Sequence, residues 1–319
     1  MVPTGPLLLD SEAEQPTPHE PYRLTLVDGT YTLRALVAGS WRAMYVFDLQ
    51  LQAGECLGLL GSNGAGKTTL LSLLSGVLAL QQGELRWEGQ PRLGLVPQQL
   101  AFYAGLKVGE NLELFADLYR LRGAERRQRL QQCIDICALE DKLTRRSEQL
   151  SGGEQRRLNF AIGLLQPADL YLFDEATVGV DAASRQHLLA AVEQLTADGK
   201  AVIYTSHYLE EVERVAQRIL LLHEGQVRLD LDKRQLLGDD HGLLLEWPDA
   251  APVGLSELLA HLQLTAEALP KGLRIAALNG QQLLAITEFV AAQDGLPNLL
   301  RFGRPSLEQL YLRLNGGRL

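Results

Sequence analysis

The sequence predicts an α/β protein followed by a small α+β domain, on three observations. An apolar strand, a glycine-rich turn and an apolar-faced helix follow one another from Cys56 to Leu78. Two further largely apolar runs, Leu170–Phe173 and Ala201–Thr205, alternate with helical segments, the pattern of a buried parallel sheet. A second, weaker rhythm of strands and helices begins near Gly242. A chain of 319 residues suits two domains, and 46% hydrophobic residues with 22% charged ones suffice for a large core.

Taken in order, residues 1–20 carry Pro3, Pro6, Pro16 and Pro18 among four acids and no Lys or Arg, which predicts a disordered acidic tail. The runs YRLTLV, YTLRALV and MYVFDLQLQ between Tyr22 and Gln52 predict antiparallel hairpins turning at Asp28-Gly29 and Gly39-Ser40. The helix after the glycine-rich turn is expected to bury Leu70, Leu71, Leu74, Val77 and Leu78. Residues 106–148 read as charged helices, and helices are expected around Ala183–Leu195 and Leu209–Ala216. Beyond a linker at Leu237–His241, the strands GLLLEW, GLRIAAL and NLLRFG alternate with the helices LSELLAHL, LAITEFVAAQ and SLEQLYLRL, giving a domain over 242–319.

Composition excludes several function classes. A net charge of −9 argues against a protein that gains affinity by neutralising nucleic-acid phosphates. Arg122, Arg126, Arg127 and Arg129 cluster, and at helical spacing they read as a solvated face. No apolar run reaches the roughly 18 residues of a membrane-spanning helix; the best, Leu158–Phe173, is broken by Asn159, Gln166, Pro167 and Asp169. The start of the chain lacks the charged and apolar regions of a secretory signal. Cys56, Cys133 and Cys137 form no disulfide framework, which fits a reducing cytoplasm; Cys133 and Cys137 share a helix face that could hold half a metal site, but no Cys or His partner pair stands nearby and burial in the helix core is expected.

Three segments carry chemistry. Gly61–Thr69, GSNGAGKTT, matches the phosphate-binding pattern G-x-x-x-x-G-K-[ST] between a strand and a helix. Backbone N–H groups of Gly61, Ser62, Asn63, Gly64, Ala65, Gly66 and Thr69 can close around phosphates at a helix N-terminus. Lys67 is expected on the β- and γ-phosphates, and the Thr68 hydroxyl on Mg²⁺. Leu170–Glu175, LYLFDE, ends a buried strand with Asp174, suited to the Mg²⁺ shell, and Glu175, suited to activating water. Leu150–Arg157, LSGGEQRR, places Ser151 and Glu154 as a capping box, while Gly152 and Gly153 leave first-turn N–H groups bare. That helix end seeks a phosphate, and its own chain's nucleotide is held elsewhere, so a γ-phosphate bound across a dimer interface is expected.

With LVPQQ, GVDAASR and YTSHY, these segments stand in the order of the ATP-binding cassette family, which residues 22–237 resemble. The resemblance implies a P-loop NTPase fold: an F1-like core, an antiparallel β subdomain and a helical subdomain, here about 101–156. It implies two copies sandwiching two ATP molecules with Mg²⁺. By position, Gln98 resembles the glutamine that touches Mg²⁺ and water, Glu175 the general base, Asp181 the acid of the loop near the dimer axis, and His207 the histidine contacting the γ-phosphate.

The wording of LVPQQLAFYAGLKVGENLELFADLYRL, RRLNFAIGLL, TVGVD, YTSHYLEEVE and PSLEQLYLRLNG is similar to ATPase subunits of ABC-2 type exporters. Those pair with separately encoded membrane subunits, which implies a seat on the inner face of the cell membrane and cargo such as drugs, antibiotics, lipids, polysaccharides or ions. The sequence departs from the family at Ser62 and Ala176, where proline is usual. The adenine-stacking aromatic would fall near Ala38, where none stands. Trp41 substitutes, with Tyr45 and Tyr31 as alternatives.

A soluble cassette ATPase working on nucleic acid or ribosomes is a second reading, and a silent binding subunit a third. Only 84 positions separate Lys67 from Ser151, leaving no room for the long coiled coil of the DNA-repair relatives, and one cassette is present where ribosome-acting relatives usually carry two. A silent subunit should have lost Glu175, His207 or the signature, and all stand in place.

Overall fold

The computed structural model describes residues 22–27, 30–35, 47–78, 85–88, 91–223, 225–237, 242–248, 251–269, 272–293, 295–304, 306–308 and 311. The acidic segment 1–20, Trp41, Tyr45, residues 238–241 and most of SLEQLYLRL lie outside them.

Strands β1 (Tyr22–Val27), β2 (Thr30–Ala35) and β3 (Phe47–Gln52) pair antiparallel in sequence. β4 (Cys56–Leu60) leads through the glycine-rich turn to α1 (Lys67–Leu74). β5 (Leu85–Glu88) then returns to the first sheet and pairs parallel with β1, giving the order β3-β2-β1-β5. The sequence signals only the hairpins; the parallel pairing joins segments separated by the whole first βα unit.

After β6 (Leu93–Val96) come α2 (Val108–Leu118), α3 (Gly123–Ile136) and α4 (Gly152–Leu165). The chain continues through β7 (Leu170–Asp174), α5 (Ala182–Ala197), β8 (Ala201–Thr205), α6 (Leu209–Val215), β9 (Arg218–His223), β10 (Gln226–Asp232) and α7 (Lys233–Leu237). The central sheet runs β10-β9-β4-β8-β7-β6, parallel throughout except for β10.

Successive strand residues point to opposite faces, and both faces are buried. Tyr171, Phe173, Val202 and Tyr204 enter the core formed with the helices that follow β6. Leu170, Leu172, Ala201 and Ile203 enter a second core with Leu70, Leu71, Leu73 and Leu74 of α1. Leu49 and Leu51 of β3 join that second core, so the antiparallel sheet is fastened on the same side as α1.

Two expectations are corrected here. Val77 and Leu78 are 66% and 47% exposed, because α1 stops at Leu74 and Gly76, at φ +74°, turns the chain away before the next helical turn. Arg129 is not on a solvated face: its guanidinium donates to the carbonyls of Leu164, Leu165 and Gln166 at 2.9, 3.0 and 3.0 Å, closing the C-terminal end of α4. Arg122, by contrast, sits in solvent with Asp117 at 3.0 Å. The cysteines are buried, and burial raises all three thiols, that of Cys133 to about 12.

From Gly242 a third sheet forms, β12-β13-β11-β14, from β11 (Gly242–Glu246), β12 (Ala266–Leu269), β13 (Gly272–Ile275) and β14 (Leu299–Gly303), with α8 (Leu255–His261) and α9 (Gly280–Ala291). It has its own core around Leu243, Leu245, Trp247, Ile275 and Ile286. β12 carries no sequence signal, since Ala266–Leu269 is an edge strand with exposed side chains on both faces up to Ala268. The chain then returns to the central core. Leu307 is buried in the cluster that holds Val212 and Val215, and its N–H donates to Glu213 Oε2 at 2.8 Å.

Candidate functional site

The four neighbouring strands β4, β8, β7 and β6 run parallel, so their C-terminal ends open on one edge of the sheet, where ligands of open α/β sheets bind. The loop after β4 is Gly61–Gly66, Asp174 ends β7 and Glu175 follows it, β8 leads to His207, and Gln98 follows β6 by two positions. Residues Asn63–Thr69 line one cavity of 310 Å³ together with Gln98, Glu175 and His207. Predicted site residues scattered over more than 140 positions thus meet at one place.

The glycine-rich loop needs its glycines. A Cβ on Gly61 would stand 2.5 Å from the Leu222 carbonyl oxygen, and its φ of +157° disfavours a side chain as well. Lys67 is only 6% exposed and donates to the carbonyl oxygens of Gly61 at 2.7 Å and Ser62 at 3.2 Å. Burial lowers the pKa of its ammonium, while the charges of Glu175 and Asp174 oppose that shift. Thr68 is exposed at the start of α1.

Glu175 occupies the left-handed region at φ +50°, a costly backbone conformation for a residue with a Cβ. Its N–H donates to Thr205 Oγ1 at 3.0 Å and to the Thr205 carbonyl at 3.2 Å, and the Thr205 hydroxyl donates to Asp174 Oδ1 at 3.0 Å. Strand β8 therefore fixes both acids. The Glu175 carboxylate is gripped from two sides: Gln98 Nε2 donates to Oε2 at 2.6 Å, and His207 Nε2 lies 2.8 Å from Oε1.

Gln98 is itself held by α4. Arg156 donates to the Gln98 carbonyl, and Asn159 donates to the Pro97 carbonyl at 3.0 Å while accepting from the Ala101 N–H at 2.7 Å. Asn159 is 1% exposed. Sequence reading misses Asn159, Arg156 and Thr205, whose partners are remote in the chain. The one signal for Asn159 is a lone polar residue in the otherwise apolar run Leu158–Leu165, and Arg156 stands in the charged first half of the helix with no signal of its own.

The signature segment lies apart from this cavity. The capping box is formed: Glu154 N–H donates to Ser151 Oγ at 3.3 Å, and the Ser151 N–H donates to Glu154 Oε2 at 2.8 Å. That backbone contact is the main cause that lowers the Glu154 pKa. Ser151 and Gly152 are exposed, and a Cβ on Gly152 would meet open space. A Cβ on Gly153 would instead approach the Gly179 carbonyl to 3.1 Å, so the second glycine lets this loop sit against 179–180. Asp181 caps α5 by accepting from the Ser184 N–H at 2.9 Å, a bond that holds its carboxyl below the ordinary range. Among the described residues no three His, Cys, Asp or Glu side chains cluster as a metal centre, and no helix is long and apolar enough to cross a membrane.

Comparison with known proteins agrees with this arrangement. Residues 45–178 match the family model described as ABC transporter. The chain is 34% identical over 286 residues to the linearmycin resistance ATP-binding protein LnrL of Bacillus subtilis, covering 83% of this chain and 91% of that one. It is 33% identical over 275 residues to the Nod factor export ATP-binding protein I of Paraburkholderia xenovorans, covering 82% and 88%. A solved structure titled as an ATP binding subunit of an ABC transporter superposes with a TM-score of 0.57 at 25% identity, covering 61% of this chain and 85% of that one. A glycine-rich loop, two acids and a histidine on one sheet edge, with relatives matched along most of their length, lead to one conclusion: this chain belongs to the ABC transporter family, as an ATP-binding subunit of the kind that hydrolyses ATP.

Proposed function

We propose that the chain powers export: two copies close over two MgATP molecules, and hydrolysis drives separately encoded membrane subunits. One observation carries the paired arrangement. Lys67, Gln98, Glu175 and His207 line one cavity, whereas the signature helix of the same chain begins with exposed Ser151 and Gly152 outside it. A two-fold axis satisfies both halves, because each signature segment, Ser151–Glu154, can then cover the partner's γ-phosphate, with the Asp181 loops near the axis. The relatives' names, resistance to linearmycin and Nod factor export, support the direction of transport.

In this reading Glu175 takes a proton from the attacking water, Gln98 and His207 orient that carboxylate and water, and Lys67 with the loop N–H groups binds the phosphates. The donors on hand suit Mg²⁺, a hard cation. Thr68 offers a hydroxyl, Asp174 a carboxylate that is 3% exposed, and Gln98 an amide at the cavity wall. When bound, that ion neutralises charge on the β- and γ-phosphates. Residues 21–237 form the ATPase unit, with its helical part about 101–156. Residues 242–319 form an accessory unit, and Trp41 supports the adenine. The chain sits peripherally on the cytoplasmic face of the membrane.

The pairing is tested with cysteines placed by Ser62→Cys and Gly152→Cys in a Glu175→Gln chain lacking its own three cysteines. ATP is expected to produce a disulfide between copies. Linkage that is absent, or that forms only within one chain, would reject the paired arrangement.

The surface for the membrane partner is proposed to be Gln98–Gly105, where Leu100 and Tyr103 are 42% and 57% exposed beside the helices that follow β6. A photo-cross-linking residue at Tyr103 should capture a membrane protein in intact cells. Capture only from probes within 242–319 would contradict this placement.

A further inference from the structure

α6 carries a carboxylate that does not line the phosphate-facing cavity. Glu211 is 3% exposed, and its Oε2 accepts hydrogen bonds from Thr177 Oγ1 at 2.6 Å, Ser206 Oγ at 2.6 Å and Tyr204 OH at 2.9 Å. Burying a carboxylate carries a desolvation cost of several kcal/mol, of the order seen for buried ions, unless donors offset it. Three hydroxyls serve here, and Arg185 Nε lies 3.4 Å from Oε1.

The donors come from both sides of the catalytic pair. Thr177 follows Glu175 by two residues, and Ser206 directly precedes His207. The Ser206 oxygen also accepts from the Tyr208 N–H at 3.0 Å, so the backbone on both flanks of His207 is tied to one anchor. Arg185 extends the bracket: it donates to the Val180 carbonyl at 3.1 Å and lies 4.4 Å over the Tyr208 ring.

We propose that Glu211 is a positioning residue that fixes the spacing between Glu175 and His207 by clamping Thr177 and Ser206 on one carboxylate oxygen. It touches no phosphate. It acts through the 2.8 Å contact between His207 Nε2 and Glu175 Oε1, which a shift of either flanking segment would lengthen. The proposal rests on the roles of Glu175 and His207 given under Proposed function.

The test uses the purified full chain with MgATP. Glu211→Gln keeps the side-chain volume but removes the charge that faces Arg185 and can set an amide N–H₂ group against the three hydroxyls, which then lose their acceptor. The expected result is a fall in kcat of about 10- to 100-fold, the range for groups that orient a reacting residue, with KM for ATP within about two-fold. In ¹⁵N-histidine spectra the His207 Nε2 signal should move while the other histidine signals stay in place. Wild-type kcat with an unmoved His207 signal would overturn the proposal. So would equal losses in KM and melting temperature, which mark a merely structural role. Should Glu211→Gln fail to fold, Ser206→Ala and Thr177→Val decide, since each removes one donor: both are expected to lower kcat at constant KM, and wild-type kcat in both would overturn the clamp. A wild-type chain without turnover, or a Glu175→Gln chain as active as wild type, would instead sink the underlying reading of the site.

Discussion

Glu175→Gln is expected to lower ATP turnover by about 10²- to 10⁴-fold, the contribution of a positioned general base, while MgATP stays bound. The amide keeps the shape of the carboxylate and can still face Gln98 and His207, now 2.6 and 2.8 Å away. What it loses is the ability to accept a proton from water. The strained backbone at φ +50° and the two bonds from the Glu175 N–H to Thr205 do not depend on the side chain, so the local geometry should survive. Single-turnover kinetics would show ATP bound and uncleaved, and sizing chromatography with ATP would show the chain trapped as a dimer. Turnover at the wild-type rate would mean that another group is the base.

Lys67→Ala is expected to weaken ATP binding by about 10- to 100-fold, from the 1.5–3 kcal/mol of a hydrogen bond to a charged group. Lys67 is held ready for this contact. Its stem is buried, and two of its three N–H donors rest on the carbonyls of Gly61 and Ser62, aligning the head group along the loop. Alanine removes the charge and the alignment together. Titration calorimetry with ATP on the full chain measures the loss; equal affinity for wild type and Lys67→Ala would remove the nucleotide from this loop.

What could be read from the sequence was what depends on neighbours in the chain. The glycine-rich loop is contiguous and its glycines answer to local backbone geometry, the capping box joins residues three apart, and the apolar runs of β4, β7 and β8 announce burial on both faces. The family resemblance rested on these same local segments, and it named Lys67, Gln98, Glu175 and His207, which line one cavity.

Tertiary structure alone decided what depends on distant partners. Gln98 and Glu175 stand 77 positions apart, and they meet because β6 and β7 are parallel neighbours whose C-terminal ends share an edge. Arg129 has the spacing of a surface residue, yet α3 crosses the end of α4 and turns its guanidinium into a cap. Glu211 reads as one acid in an amphipathic helix; only the approach of Thr177, Tyr204 and Ser206 makes it a buried acceptor. Residue spacing along one segment sets which groups share a local turn, strand or helix face. Which segments then face one another is set by strand order and packing, through contacts that no local pattern encodes.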